Sequence, residues 1–370
     1  MATSDEPARA ERALALELLR TKSRFVLSGH QRPDGDCLGA QAALARLLIA
    51  MGKDVWIINP DPPEPRYGYL APGTPFRTWK GGSLPEHDVA VFLDFCELSR
   101  TGELAAPFAR ATSKKLVIDH HVHHGERWWD AAYVDVRASA TGLLVNRIAH
   151  ELGVRLDAQA ATAVFTSIVT DTGWFKYSNT DAETLAAASE MVELGAQPTA
   201  IHSALYQQRS REHAQFVGKL LTRTEFFADG KLALVPQPLS ESNEAEFADT
   251  DEVLDILRSI RSVEVVLYLR ETKSGWCKLS ARSKTDYDVN ALARRFGGGG
   301  HKKASGATIE GSLESVRPRL LAAAIEPWAS AGGTASDSAG GSANESAGKS
   351  ATSGAGNSTG ESAGSAPSKA

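Results

Sequence analysis

The sequence predicts an α/β protein, in which a domain built on a parallel β-sheet with helices on both faces is followed by a smaller α+β domain across a cleft. Through the first half of the chain, short apolar runs alternate with longer segments of helical periodicity. This pattern is typical of a parallel sheet covered by helices. After residue 224 the apolar runs recur with fewer helical segments between them, and after Trp328 apolar bulk almost disappears.

These changes divide the chain into four parts. We expect a first domain at 1–195, a linker helix at 196–224, a second domain at 225–328 and a tail at 329–370. The tail is rich in Gly, Ser and Ala, so it cannot bury enough apolar surface to offset the entropy of ordering its backbone. We therefore expect the tail to be disordered.

The individual elements follow from the period of the apolar residues. Strands of the first domain are predicted at 24–28, 55–59, 89–93 and 116–118. Its helices are predicted at 6–20, 38–51, 140–152 and 158–169. The sequence Thr180-Asp181-Ala182-Glu183 is typical of a capping box, which would open a helix that ends near Gly195. In the second domain we expect strands at 232–235, 263–270 and 275–281 and helices at 251–260 and 289–296.

Composition and charge indicate which ligands and which cellular compartment the sequence favours. A net charge of −5 argues against a protein that binds long duplex nucleic acid, which usually carries a strong basic excess. A small anionic substrate stays open, because metal ions and a few basic groups can supply the positive field. The chain shows no secretory signal and no apolar run of about 18 residues, so we expect a cytoplasmic protein without a membrane segment. Cys37, Cys96 and Cys277 are not closely paired, which favours a reducing compartment and buried, unreactive thiols.

Histidines and aspartates gather directly after three of the predicted strands. The side chains that share this placement are His30, Asp34, Asp36, Asp94, Asp119, His120 and His121. The carboxyl ends of parallel strands meet at one edge of the sheet, where open α/β folds bind their ligands. Carboxylates that lie close together raise one another's proton affinity unless a cation lies among them. The pattern therefore predicts a metal site at this edge.

Asp171, at the end of a predicted helix, adds a further carboxylate. The candidate metal ligands are His30, Asp34, Asp36, Asp94, His120 and Asp171. A set of oxygen ligands with some imidazole and no thiolate favours Mn²⁺, with Mg²⁺ as the alternative, over Zn²⁺. Two such ions that share a carboxylate, about 3.5–4 Å apart, can activate a water for attack on a phosphoryl group. We therefore interpret the chain as a two-metal phosphoesterase.

A run of four glycines at 297–300 is the strongest feature of the second domain. The backbone N–H groups of such a run can approach an anion closely. Basic residues follow at once, and Arg282 lies on a neighbouring predicted strand. A flexible surface turn with solvated charges is the alternative interpretation. The candidate substrate-binding residues are Arg282, Gly298, Gly299, Gly300, His301 and Lys302.

The motifs resemble those of the DHH/DHHA1 phosphoesterase family, in the order of that family and over nearly the whole chain before the tail. They are HQRPDGDCLG from His30, LDFCELSR from Leu93, VIDHH from Val117, SIVTDTGWFKYSNT from Ser167, LSARSK from Leu279 and FGGGGHKKASGAT from Phe296. Within the family, the chain resembles the bacterial bifunctional oligoribonuclease and pAp phosphatase group. That resemblance implies hydrolysis of very short RNA and of 3′-phosphoadenosine 5′-phosphate (pAp).

The resemblance also implies roles for the site residues. One ion would be held by His30, Asp34 and Asp94, and the other by Asp36, Asp94, His120 and Asp171, with Asp94 as the bridge. His121 would orient the scissile phosphate or protonate the leaving oxygen, and Asp119 would fix the geometry of its neighbours. Arg100 would either reach the phosphate or anchor the second motif.

Other functions stay open at this point. A phosphodiesterase for c-di-AMP or its linear product would use the same motifs, and a homodimer is also compatible with the sequence. A long single-strand exonuclease would usually carry further nucleic-acid-binding domains, and a pyrophosphatase should lack the glycine run. A nucleotide-sensing module without catalysis should show substitutions among the ligands, whereas all six are present.

Overall fold

The computed structural model describes residues 5–123, 125–241, 250–273 and 275–331. The chain forms two compact units that divide between Ser210 and Arg211. Each unit contains a six-stranded sheet within the described residues. None of the helices in these ranges is long and apolar enough to cross a bilayer. Most of the tail, from residue 332, lies outside the described residues.

The first unit is built on parallel strands. They are β1 (Arg24–Ser28), β2 (Asp54–Asn59), β3 (Phe76–Thr78), β4 (Val89–Leu93), β5 (Lys114–Asp119) and β6 (Ala131–Val134). The helices are α1 (Asp5–Thr21), α2 (Gly35–Ala50), α3 (Ala105–Arg110), α4 (Thr141–Leu152), α5 (Ala158–Asp171), α6 (Ala182–Glu193) and α7 (Pro198–Tyr206). Two 3₁₀ segments lie at Pro65–Leu70 and Leu98–Leu104.

The strands lie in the order β3-β2-β1-β4-β5-β6, and every neighbouring pair is parallel. The prediction of a parallel sheet is therefore confirmed. The strand order reverses at β1, which pairs with β2 on one side and β4 on the other. Such a switch point places the loops after β1 and β4 beside each other at the carboxyl edge, where open α/β sheets bind ligands.

The two faces of this sheet are covered unequally. One face packs against α1, α2, α4 and α5 and forms the larger core. The other face forms a smaller aromatic cluster around Phe92, Phe95 and Phe108, which short helical segments and half-buried tryptophans cover. Every residue of β4 is buried, since both faces of this central strand are covered.

The second unit holds an α+β arrangement, as predicted. Its strands are β7 (Glu225–Phe227), β8 (Leu232–Gln237), β9 (Val265–Lys273), β10 (Trp276–Ser283), β11 (Gly299–His301) and β12 (Ala304–Glu310). Its helices are α8 (Arg211–Thr222), α9 (Thr250–Arg258), α10 (Val289–Arg294) and α11 (Leu313–Ala331). The order is β11-β12-β10-β9-β8-β7, and all neighbouring pairs are antiparallel except β8 and β9.

The segment 196–224 is not one linker helix, so that prediction is wrong in this detail. It contains α7 and α8, and the chain between Tyr206 and Arg211 is not helical. The physical reason lies in the two cores. Ile201 and Leu205 of α7 pack into the core of the first unit, whereas Phe216 and its neighbours on α8 pack into that of the second.

The capping-box prediction is also wrong by one residue. The N-cap of α6 is Asp181, not Thr180, because the carboxylate of Asp181 accepts the backbone N–H of Thr184 at 2.8 Å. The three cysteines are buried and free of disulfides, which confirms the expected burial of the thiols.

Candidate metal centre

The loop after β1 leads directly into α2 and delivers the first two carboxylates. Asp34 is the N-cap of α2, and its Oδ1 accepts the backbone N–H groups of Asp36 and Cys37, each at 3.1 Å. This cap places Asp36 inside the first turn of the helix, so the carboxylate at position 36 is 2% exposed. The side chain of Asp34, in contrast, is 59% exposed. The two carboxylates therefore occupy different environments.

Gly35 allows two helices to approach closely. It lies in the first turn of α2 and is not among the glycines with positive φ. A Cβ at this position would lie 2.4 Å from Cγ2 of Thr170 on α5. Gly35 is therefore needed for the close approach of α2 to α5, which brings the helix that ends at Asp171 beside Asp36.

Asp36 is held by groups that the sequence interpretation did not identify. Its Oδ2 accepts the backbone N–H of Thr141 at 2.8 Å, and its Oδ1 accepts that of Gly142 at 3.2 Å. The hydroxyl of Ser167 also donates to Oδ1. Thr141 and Gly142 open α4, so the carboxylate sits at a helix N-terminus, which favours negative charge.

Asp94 lies at the centre of the cluster, immediately after β4. Its φ of 71° lies in the left-handed region, a strain of about 1–3 kcal/mol that is found mainly at functional sites. Its Oδ2 is 3.4 Å from Nε2 of His30, and its Oδ1 is 3.6 Å from Nε2 of His120. The hydroxyl of Thr141 donates to Oδ1 at 3.2 Å. One carboxylate thus faces both histidines.

The surroundings of His120 are those of a ligand to a cation. Its Nδ1 donates to the carbonyl of Ala138 at 3.0 Å, so Nε2 carries the lone pair of the neutral ring. Nε2 is buried without a hydrogen-bond partner. Carboxylate oxygens of Asp36, Asp94 and Asp171 surround it at 3.4, 3.6 and 3.7 Å.

These separations are long for hydrogen bonds between nitrogen and oxygen. They suit ligand atoms on a common ion, since ligands about 2.1 Å from an ion lie about 3–3.5 Å apart. The atoms of Asp36, His120 and Asp171 all lie within 4.8 Å of one another. The residues present therefore fit a divalent ion at this position.

The electrostatics of the described side chains agree with that fit. Burial, Asp94 and Asp171 raise the pKa of Asp36 well above its usual range. Burial raises the pKa of Asp171 as well. His120 lowers this pKa and Asp94 raises it, and the result is a pKa of about 6. Burial lowers the pKa of His120, but the three carboxylates raise it to about 10. The site thus attracts positive charge, here in the form of a proton.

The second group of candidate ligands centres on His30. Its Nδ1 donates to the carbonyl of Gln31 at 2.8 Å, which turns Nε2 towards Asp94 and, at 4.0 Å, towards Asp34. The thiol of Cys37 lies in the same group. Burial raises the pKa of Cys37 well above its usual range, so the thiol stays protonated and is a poor ligand.

Asp119 belongs to none of the three groups of candidate ligands, the third of which joins Asp94, His120 and His121, and instead positions its neighbours. It is fully buried at the end of β5, and its Oδ1 accepts Nδ1–H of His121 at 2.8 Å and the backbone N–H of His120 at 2.8 Å. The thiol of Cys96 donates to Oδ2 at 2.8 Å. The ring of His121 is half exposed, and Asp119 fixes its orientation.

Arg100 connects the first two motifs through its backbone. Its carbonyl accepts the N–H of Gln31 at 2.7 Å, which ties the 3₁₀ segment after β4 to the loop after β1. Its side chain is exposed and makes no hydrogen bond or ion pair with the described residues. The structure thus gives Arg100 an anchoring contact and leaves the guanidinium available.

The predicted substrate residues of the second unit are only partly brought together. A groove of about 690 Å³ is lined by Arg282, Gly298 and Gly299, together with residues of β10 and β12. Gly300, His301 and Lys302 do not line it. Lys302 instead lies 3.3 Å from the carboxylate of Asp286.

Packing explains more of the glycine run than we expected. A Cβ at Gly298 would lie 2.1 Å from the carbonyl oxygen of Gly306, and Gly300 has a φ of 141°. Both glycines are therefore needed where β11 pairs with β12. A Cβ at Gly299 would meet nothing closer than 4.0 Å, so packing does not require that glycine.

Comparison with known proteins agrees with the resemblance seen in the motifs. A family model described as the DHH family, N-terminal domain, matches residues 24–168, and one described as the DHHA1 domain matches residues 234–330. The bifunctional oligoribonuclease and PAP phosphatase NrnA of Thermus thermophilus is 32% identical over 323 residues, which cover 87% of this chain and 95% of that protein.

Two further similarities extend over most of the chain. The protein of the same name from Bacillus subtilis is 25% identical over 302 residues, which cover 79% of this chain and 92% of that protein. The crystal structure of an exopolyphosphatase-related protein from Bacteroides fragilis matches with a TM-score of 0.78 at 25% identity, covering 86% of this chain and 96% of that one. The folds of both units therefore recur in known proteins.

Proposed function

Because the chain belongs to the DHH family and carries a DHHA1 domain, we propose that it hydrolyses phosphoester bonds in short RNA oligonucleotides and in pAp. The names of the Thermus thermophilus and Bacillus subtilis relatives support these substrates. The observation that carries the proposal is the buried Nε2 of His120, which has three carboxylates around it and no hydrogen-bond partner. Such an arrangement is costly unless a cation completes it.

We propose two divalent ions, Mn²⁺ in preference to Mg²⁺, as the cofactors. Asp36, His120 and Asp171 would hold one ion, His30 and Asp34 the other, and Asp94 would contact both. When bound, such a pair supplies an activated water and stabilises charge on the phosphoryl oxygens. The absence of an available thiolate supports Mn²⁺ or Mg²⁺ over softer metals.

The chain's own residues would orient the reaction. Thr141 and Gly142 hold Asp36 from the N-terminus of α4, so Oδ2 of this carboxylate stays directed at Nε2 of His120. Asp119 accepts Nδ1–H of His121 and raises the pKa of that ring, so the half-exposed imidazole can carry a second proton on Nε2 and donate it. His121 would then protonate the leaving oxygen. In the second unit, Arg282 and the backbone of Gly299 would bind an anionic part of the nucleotide.

Turnover of a substrate panel with Mn²⁺ tests the proposal. The panel contains pAp, RNA of two to five nucleotides, c-di-AMP, linear diadenylate and pyrophosphate. We expect hydrolysis of pAp and of the shortest RNAs. A preference for c-di-AMP or its linear product would instead identify a cyclic-dinucleotide phosphodiesterase. If none of the phosphoesters is hydrolysed although Mn²⁺ binds, the proposed function is wrong, and a nucleotide-sensing module becomes the hypothesis to test by nucleotide binding.

Replacing His121 by glutamine is expected to lower kcat for pAp by about 10²–10⁴-fold, the usual contribution of a general acid. Mn²⁺ affinity should stay near that of the parent, since Nδ1 of His121 is already bound to Asp119. Steady-state kinetics together with calorimetric Mn²⁺ titration would measure both quantities. A His121→Gln variant that loses Mn²⁺ binding would show that His121 is a ligand instead.

A further inference from the structure

The chain after Asp171 makes a left-handed turn that is unfavourable for its residues. Gly173, Trp174 and Phe175 have φ values of 54°, 57° and 64°. Bulky side chains rarely adopt this conformation. Such strained conformations persist only where the surrounding structure holds them in place. They are concentrated at binding and catalytic sites. The turn directly follows a proposed metal ligand, and no role described above requires it.

Hydrogen bonds hold this turn in one conformation. The backbone N–H of Trp174 donates to the carbonyl of Val169 at 2.8 Å, and that of Phe175 donates to the hydroxyl of Thr172 at 3.1 Å. The N–H of Tyr177 donates to the carbonyl of Thr172 at 3.0 Å. The direction in which the chain leaves the turn is therefore fixed by the end of α5.

The turn sends two aromatic rings inward and the next two side chains outward. Trp174 and Phe175 pack edge-on against Phe165, with ring centroids 6.1 and 6.3 Å apart. Lys176 is exposed, and Tyr177 remains 46% exposed. Burial of the first pair thus sets the position of the second pair.

The ring of Tyr177 lies against the backbone of the turn, at Gly173. A Cβ at Gly173 would be 2.4 Å from Cζ of Tyr177, so the absence of a side chain there lets the ring approach. Gly173 lies two residues after Asp171, so their Cα atoms are at most about 7.6 Å apart. Nζ of Lys176 lies 5.9 Å from the ring centroid. An aromatic ring and a positive charge therefore lie together on the turn that follows the candidate ligand Asp171.

We propose that Tyr177 stacks against the nucleobase next to the phosphate that is hydrolysed. Lys176 adds electrostatic attraction for the anionic nucleotide. Stacking of a base on an aromatic side chain tolerates any sequence, because every base has a π-face. This property suits an enzyme that accepts different short RNAs. The inference rests on the proposed function, since it assigns part of the nucleotide to the same site.

Two substrates that differ only in the base test this role. They are pAp and ribose 3,5-bisphosphate, which keeps both phosphates and lacks the adenine. For Tyr177→Leu, we expect the KM for pAp to rise by about tenfold or more, whereas the KM for the base-free compound stays within about twofold. Tyr177→Phe should leave both values unchanged, because the ring and not the hydroxyl makes the contact. Phe226→Leu, which alters a residue on β7 that is 49% exposed, is the matched control.

The ratio of the two KM values decides the outcome. It does not depend on the fraction of folded enzyme, so a partly unfolded variant still gives an answer. If the ratio in Tyr177→Leu equals that of the parent, whether both KM values are unchanged or both rise by the same factor, the inference is overturned. If the parent protein with Mn²⁺ hydrolyses neither compound, the proposed function is wrong. That outcome is distinct from a failure of the role assigned to Tyr177.

Discussion

Replacing Asp94 by asparagine is expected to lower kcat/KM for pAp by about 10³-fold or more. Asp94 faces both His30 and His120, so its charge is proposed to act on both ions. Loss of several kcal/mol of transition-state stabilisation corresponds to a decrease of this size. Asparagine also adopts left-handed backbone conformations readily, so the φ of 71° at this position is retained. Steady-state kinetics with saturating Mn²⁺ measures the effect.

Asp54→Asn provides the matched control for this substitution. Asp54 is exposed at the start of β2, the end of the strand opposite to the candidate site. The same chemical change there should leave kcat/KM within about twofold of the parent, since exposed charges at that distance are screened. Circular dichroism would verify that both variants are folded. If Asp94→Asn kept a tenth of the parental kcat/KM, a bridging role for Asp94 would be excluded.

Adding Mn²⁺ is expected to raise the melting temperature of the parent protein by about 5–10 °C when the ion is present at 100 times its Kd. Binding to the native state alone stabilises a protein by about 2.7 kcal/mol at that ratio. Each kcal/mol shifts the melting temperature of a unit of this size by about 2–4 °C. Removing the metal with a chelator should reverse the change. Differential scanning calorimetry measures it.

Asp36→Asn should markedly reduce this shift, because one of the two proposed ions loses a ligand, while leaving the metal-free protein at least as stable as the parent. The substitution removes a charge that burial disfavours and that Asp94 and Asp171 repel; these effects, burial first, raise the pKa of Asp36. An asparagine can still accept the backbone N–H of Thr141 and donate to the hydroxyl of Ser167. Asp54→Asn should keep the full shift. A metal-free Asp36→Asn protein that melts far below the parent would show that Asp36 is mainly structural.

The parts of the fold that the sequence predicted well are the continuous apolar runs. The strands expected at 24–28 and 89–93 are those observed as β1 and β4. These central strands are buried on both faces, so nearly all of their residues are apolar and the strands are easily recognised in the sequence. The placement of His30 and Asp94 at one sheet edge followed from the same runs, because the end of each strand is visible in the sequence.

Elements with weak or contrary signals were missed. β12 is an Ala- and Gly-rich strand of low intrinsic preference, and it forms because it pairs along β10. α11 contains Pro318 and Pro327, which normally indicate the end of a helix. The helix breaks between α7 and α8 because the two segments pack into different cores. The spacing of apolar residues along the chain does not show into which core each residue packs.

The support of the site could not be predicted for a related reason. Thr141, Ser167 and Cys96 are small polar residues of a kind found everywhere in a sequence. They act on Asp36, Asp94 and Asp119 only because folding brings distant segments together, so no local pattern identifies them. Ser167 had one available signal, its place at the start of the fourth motif, and Cys96 lay inside the second.

The hydrogen bond from Ser167 to Asp36 joins residues 131 positions apart in the chain. The candidate ligands are equally scattered, so they meet only after most of the first sheet and α5 have assembled. The entropy cost of closing long loops must be met before contacts between such distant groups can stabilise the chain. These contacts therefore form late in folding. Bound ions would therefore add little to the rate at which this unit forms and would mainly slow its unfolding. In the cell, metal supply would then govern how long the folded enzyme lasts more than how fast it is made.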